Sequence, residues 1–239
     1  MDDSDLKWNL EFRPKLAETA TVALTTFLQG IGNDPLPCKI RTAVDTPDDV
    51  FDTYGRLVGN ISVQAGRGEQ DVNNWIVGQG WAFPSFYSSM SEQEITTIVG
   101  LADQAYQKGL GVWPYLNDHI HAADFDLNLL YRGNGVVPKP AVDEGRVVLP
   151  KLFRRLAAYV VNRKAKMVSG TFETYLRSKR SSDAVHLTGE FLSQGAVAAP
   201  LHFLDEFVQG GLTTVWPEEL VFREKPSSVI GAGGGPVSF

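Results

Sequence analysis

Residues 71–82 read DVNNWIVGQGWA, and this stretch decides the fold. Asp71 is a natural N-cap, because its short carboxylate can accept from the unpaired N–H groups of a first helical turn. Val72, Trp75 and Ile76 follow at helical spacing as the expected buried face, and the helix is expected to end near Gly80. Upstream, TYGRLVGNISV (53–63) alternates as a strand does, with Leu57, Ile61 and Val63 on one face and Tyr54, Arg56 and Val58 on the other. CKIRTAV (38–44) reads as another strand. Before it, Pro14 stands at a first-turn position, and Leu16, Ala20, Ala23, Leu24, Phe27 and Leu28 recur at helical spacing up to Gly30. Downstream, Ser91-Glu-Gln-Glu94 is a capping box opening a helix with Ile95, Ile98, Ala102 and Ala105 as its apolar stripe. That helix stops at Gly109, and GLGVW (109–113) closes a unit ordered helix, strand, strand, helix, helix.

Beyond this unit the chain changes character. Residues 114–142 carry Pro114, Pro138, Pro140, Gly133 and Gly135 and read as loop. They include His119-x-His121 followed by Asp124 and Asp126, ligand types whose spacing fits no standard metal site, so a solvated loop is the plainer reading. RVVL (146–149) reads as a short strand leading into a helix with Leu152, Phe153, Leu156, Tyr159 and Val160 on one face, then a shorter helix around Phe172, Tyr175 and Leu176. AVHLTGEFL (184–192), LHFLDEFV (201–208), LTTVW (212–216) and ELVFRE (219–224) read as strands, in which His186 and His202 are expected to be satisfied structural histidines. GAGGGPVSF closes the sequence as a glycine-rich tail.

With 239 residues, 43% hydrophobic and 21% charged, the composition is that of a globular protein able to bury a core. No apolar run approaches the roughly 18–20 residues of a membrane span, so no membrane partner is expected. MDDSD at the start is acidic where a signal peptide would be basic, and Cys38 is the single cysteine. The expected compartment is therefore cytoplasmic. A net charge of −6 argues against a general polyanion binder, yet residues 146–180 hold ten Lys or Arg against one acid, Glu173. That block, with Arg154, Arg155 and Lys164 in its helix, is either a phosphate-facing surface or the solvated faces of two helices.

Four features in order resemble the staphylococcal nuclease family. Asp52-Thr-Tyr54-Gly55-Arg56 is similar to its D-x-Y-G-R strand, and Val72 to Ala82 to its V-N-x-x-L-V-x-x-G-x-A helix. Ala102, Ala105 and Gly109-Leu-Gly111-Val-Trp113 resemble its A-x-x-A…G-x-G-I/L-W ending, and the preceding helix and strand fall in the family's order. The resemblance covers residues 14–113 and implies an OB-fold barrel with packed helices that cleaves DNA and RNA phosphodiesters with Ca²⁺. By resemblance Arg56 matches the family's second catalytic arginine and Tyr54 its neighbouring phosphate contact. The chemistry is sound independently: residues two apart on a strand share a face, and a guanidinium forks onto two phosphate oxygens. The plainer alternative pairs Arg56 with a nearby aspartate. Phe86 or Tyr87 falls where the family places a tyrosine against the substrate base, and either could stack there or pack under a loop.

The family's R-x-x-x-x-D-A/T-P-E segment, with its other arginine, metal carboxylate and proposed base, has no counterpart here. IRTAVDTPD (40–48) imitates it, but Arg41 precedes Asp45 by one residue too few, and it follows the first helix instead of preceding it. The expected fold class is thus α+β: a partial OB-fold (staphylococcal-nuclease-like) barrel with packed helices, then a small α+β C-terminal region. The expected division is a nuclease-like domain at 1–117 lacking its N-terminal strands, a linker at 118–142, the C-terminal region at 143–226 and a tail at 227–239. The expected function is that of a truncated or degenerate nuclease relative that binds nucleic acid with little or no cleavage, its partner single-stranded DNA or RNA. One alternative is an active Ca²⁺-dependent hydrolase using Asp45, Asp48, Asp49 or Asp52. Another is a structural or assembly protein. Half a barrel exposes strand edges, so the C-terminal strands, a protein partner or a second chain is expected to complete it.

Overall fold

The computed structural model describes residues 16–32, 35–42, 59–66, 68–116, 149–210 and 212–223. Tyr54, Arg56, the acidic run 45–52, the His119-x-His121 stretch, the segment 118–142 and the tail lie outside the described residues.

Helix α1 (Ala17–Ile31) runs through Gly30 rather than ending there, and stops at an extended Gly32. Of its apolar stripe only Leu16, just before the helix, is buried, packing against Val112. Phe27 lies half-buried, its ring stacked on Trp75 with centroids 4.0 Å apart. Strands β1 (Cys38–Arg41), β2 (Asn60–Ala65) and β3 (Gly68–Asp71) follow as an antiparallel meander in the order β1-β2-β3. β3, GEQD, has no apolar residue to announce it. It forms because the chain reverses at Gly66, whose φ of 58° suits the tight turn between paired Ala65 and Gly68. In β2 Val63 is 3% exposed, whereas Ile61, expected to share its buried face, is 38% exposed and sits opposite exposed Ile40.

Asp71 caps α2 (Val72–Gly78) as expected: its Oδ1 accepts from the Asn74 N–H at 2.7 Å. The buried face is Val72 and Val77, with Trp75 and Ile76 only half-buried, because Val77 is the residue turned toward the next helix. Two glycines then close the unit. Gly80 (φ 71°) accepts a hydrogen bond from Val112 N–H at 2.9 Å, and a Cβ on Gly111 (φ 57°) would lie 2.1 Å from the Gly80 carbonyl oxygen. Backbones this close leave no room for side chains, which is the physical content of the paired glycines in the sequence. Between them α3 (Glu92–Gln107) opens on the full Ser91–Glu94 capping box and buries Ile95, Ala102 and Ala105. Trp113 packs on Ala102, Ala105 and Val77.

The second half departs further from its strand-rich reading. Helices α4 (Pro150–Lys164) and α5 (Phe172–Arg177) are as expected. AVHLTGEFL, however, divides into strand β5 (Ala184–Leu187) and helix α6 (Thr188–Ala198), which is interrupted at Gly195. A short apolar run does not declare its period; here Thr188 and Phe191, three apart, are the buried residues of the helix. LHFLDEFV contributes only β6 (His202–Phe203), a 3₁₀ turn and β7 (Val208–Gln209); β8 (Leu212–Thr213) and β9 (Leu220–Phe222) follow among the described residues.

The two halves meet through a strand that the sequence did not announce. Phe86–Tyr87 forms β4 and pairs in parallel with β9, giving a four-stranded sheet in the order β4-β9-β5-β6. Val185, Leu220 and Phe222 pack beneath α4 and α5 on one face. On the other, Phe86 and Val221 join Ile95 of α3 and Phe191 of α6 in a fully enclosed cluster. Trp113 and Trp216, from opposite halves, have ring centroids 6.2 Å apart. The architecture is α+β with small sheets. Among the described residues no sheet closes into a barrel, and the C-terminal strands build on β4, not on the β1-β2-β3 meander.

Candidate functional site

The parity of the meander sorts its side chains. Lys39, Arg41, Asn60, Ser62, Glu69 and Asp71 lie on one face; Cys38, Ile40, Ile61 and Val63 lie on the other. On the polar face Arg41 donates to Glu69 at 3.1 Å and Lys39 at 3.4 Å, and the Ser62 hydroxyl donates to the same carboxylate. The Ser62 bond, then the Arg41 and Lys39 charges, hold the Glu69 carboxyl below its usual range, against the opposing pull of burial. Asn60 reaches across to Glu94 at the start of α3 at 3.0 Å. Arg41 thus serves an ion pair on the sheet.

Phe86 and Tyr87, equivalent candidates in the sequence, are separated by the structure. Phe86 is 0% exposed, locked between Ile95, Phe191 and Val221, and has no ring face to offer a base. A parallel β-pair explains this: successive side chains on β4 point to opposite faces, and Phe86 draws the inward one. Tyr87 is 40% exposed at the sheet edge, its ring 6.4 Å from that of Phe222.

The basic block also divides. Arg155 commits its guanidinium fork to Asp183, Nε to Oδ2 at 2.8 Å and Nη2 to Oδ1 at 2.7 Å. Lys151 shares that aspartate at 3.4 Å and lies over the Phe222 ring, 4.4 Å from its centroid. Burial pushes the Lys151 ammonium below its ordinary value, Arg155 and Arg154 act in the same direction, and Asp183 opposes them. Arg180 and Arg177 close on buried Asp205, at 2.8 and 3.6 Å, and Arg163 donates to the Tyr159 hydroxyl at 3.2 Å. Four of the ten cations, Lys151, Arg155, Arg177 and Arg180, thus pair with Asp183 or Asp205, acids that lie after the block in the sequence. Arg154 and Lys164 are exposed. The sequence did not single out Lys151 or Asp183; only the folding of β5 back beside α4 brings them together.

His186 is buried with Nδ1 2.8 Å from the Pro200 carbonyl oxygen, and His202 meets Glu190 at 3.0 Å, as satisfied histidines should. Among the described residues no group of three or more His, Cys, Asp or Glu side chains converges as a metal would require. Glu69, on the polar face of the meander, is engaged by two cations and a hydroxyl. No described helix is long and apolar enough to cross a membrane.

Comparison with known proteins adds one result. Residues 37–115 match the family model described as staphylococcal nuclease homologue. No curated protein and no solved structure matches the chain. The match begins after α1 and ends in the turn that carries Trp113, leaving α4 to β9 outside it. It includes both glycines of the Gly80–Gly111 contact, the capped helices α2 and α3, and the DTYGR segment (52–56). Residues 37–115, then, are similar to the staphylococcal nuclease homologue family.

Proposed function

We propose that the chain is a nuclease-family protein whose nuclease-like domain binds single-stranded DNA or RNA and cleaves it little or not at all. The family match over residues 37–115, which includes Tyr54 and Arg56, carries the reading. In it Arg56 forks onto a phosphate and Tyr54 donates a further hydrogen bond to the same group. Exposed Tyr87 offers a ring to a base. Weak cleavage is proposed because residues 1–239 contain no counterpart of the R-x-x-x-x-D-A/T-P-E segment, and general-base and metal-assisted activation each supply large rate factors.

The deciding experiment incubates fluorescent single-stranded DNA and RNA with this protein and with Arg56→Ala, in Ca²⁺ and in chelator, following binding and cleavage together. Expected is binding without cleavage, weakened by the substitution. Chelator-sensitive cleavage abolished by Arg56→Ala would overturn the weak-cleavage reading and assign metal ligation to the acids of 45–52. A second reading, assembly through the nuclease-like fold, is favoured by the meander's apolar face: Ile40 and Ile61 stand opposite each other, 46% and 38% exposed, on and beside an outer strand. Complexes that form with a protein and ignore nucleic acid would support it.

A further inference from the structure

A cleft of about 530 Å³ opens where α3, the first turn of α6 and the 3₁₀ turn Pro217–Glu219 meet, so both halves of the chain build it. Its walls are chiefly apolar: Val99 of α3, Leu187 at the end of β5 and Leu192 of α6. Val99 and Leu192 pack against the Phe86–Val221 cluster and stay partly exposed. Apolar clefts of roughly 300–1,000 Å³ with a few polar groups are where small molecules bind. Every charged residue on these walls is an acid: Glu190 from α6, Glu218 and Glu219 from the 3₁₀ turn. Two of the three are answered within the fold. Glu219 accepts from the Trp216 N–H at 2.6 Å, and Glu190 meets His202 at 3.0 Å. Glu218 is different, since one of its carboxylate oxygens is buried with no hydrogen-bond partner among the described residues. A buried acceptor without a donor is destabilising, the more so when charged. Burial, then the charges of Asp103 and Glu219, disfavour its ionised form, and a cation alongside would favour it again.

We propose that this cleft binds a small organic ammonium ion, whose N–H groups donate to Glu218 while its apolar body rests on Val99, Leu187 and Leu192. A charged N–H donor makes the stronger kind of hydrogen bond to a carboxylate, and apolar contact supplies the rest of the affinity. Other ligand classes suit the walls less well. An anion would meet three carboxylates and no cation. A neutral apolar molecule would leave the Glu218 oxygen without a donor. A metal ion needs converging ligands, and among the described residues no three His, Cys, Asp or Glu side chains converge. The inference does not rest on the nucleic-acid reading and gives the chain a second class of ligand.

The test titrates the isotope-labelled full chain at neutral pH with phenethylammonium, phenethyl alcohol and phenylpropanoate, which are alike in shape and differ in charge. Backbone amide shifts of Thr96, Val99, Gly189 and Leu192 report on the cleft. Phenethylammonium is expected to give saturable shifts with a Kd on the order of 1 mM, as suits so small a ligand. The alcohol is expected to bind about tenfold more weakly, for want of a charged donor, and the carboxylate not at all. Glu218→Gln keeps the shape of the wall and removes its charge, and is expected to weaken phenethylammonium about tenfold while leaving the alcohol unchanged. Gly189→Leu keeps every charge and adds bulk at a cleft residue where a Cβ meets nothing within 4 Å, and is expected to block both. Equal affinity for the amine and the alcohol would overturn the proposal. So would shifts undiminished in both variants, which would place the amine elsewhere, or no saturable shift up to about 10 mM amine.

Discussion

Replacing Phe86 by alanine separates a base-stacking role from a packing role. Its ring is 0% exposed and is held by Ile95 of α3, Phe191 of α6 and Val221 of β9, so truncation empties a site walled by three separate elements. Phe→Ala in a core costs about 3–5 kcal/mol, and the upper part of that range applies where neighbours cannot collapse. Here β4 and β9 are fixed by their own pairing, Phe86 opposite Val221, which limits collapse. At about 2–4 °C per kcal/mol for a chain of this size, Phe86→Ala should lower the thermal midpoint by roughly 6–20 °C. Tyr87→Ala, at a position 40% exposed, should cost far less. Urea unfolding followed by tryptophan fluorescence gives both values, with Trp113 and Trp216 reporting from the two halves. A loss below about 1 kcal/mol for Phe86→Ala, or a variant in which only one half melts, would refute the shared core.

Gly111→Ala should destabilise strongly, by more than about 2 kcal/mol, since it imposes a positive φ on alanine and presses a Cβ against the Gly80 carbonyl. Gly100→Ala, within α3 with nothing near the new methyl group, should instead stabilise by about 0.4–1 kcal/mol in the same urea titration. Glu218 has one carboxylate oxygen buried without a hydrogen-bond partner, and burial first, then Asp103 and Glu219, raise its carboxyl above the ordinary 4.5. A raised folded-state value means that the native chain holds this proton to higher pH than the unfolded chain does, so stability falls as pH rises through that window. Glu218→Gln should therefore raise the thermal midpoint at neutral pH and lose that advantage below pH 4.5. An advantage unchanged across that range would refute the assignment.

How much of this was legible in the sequence follows from where each signal resides. The Asp71 cap, the Ser91–Glu94 capping box and the stripe of α3 are local: a side chain bonds its own next turn, so sequence order suffices. The motif glycines were legible as family markers, though their reason, the backbone contact between Gly80 and Gly111, is not local. β3 was missed because a polar hairpin return carries no apolar period. The division of 184–192 into strand and helix is not legible because nine residues with apolar side chains at 184, 185, 187, 191 and 192 fit neither period cleanly.

The sequence by itself determined the nuclease-like unit, because caps, turns and periodicity are properties of neighbouring residues and the family's motifs are built from them. Only the tertiary structure decided between Phe86 and Tyr87, because adjacent residues on a strand differ only in the face they receive, and β9 sets that face from more than a hundred residues away. It also paired four cations of the basic block with Asp183 and Asp205, since a charge run shows its own sign but not which acid the fold will bring to it.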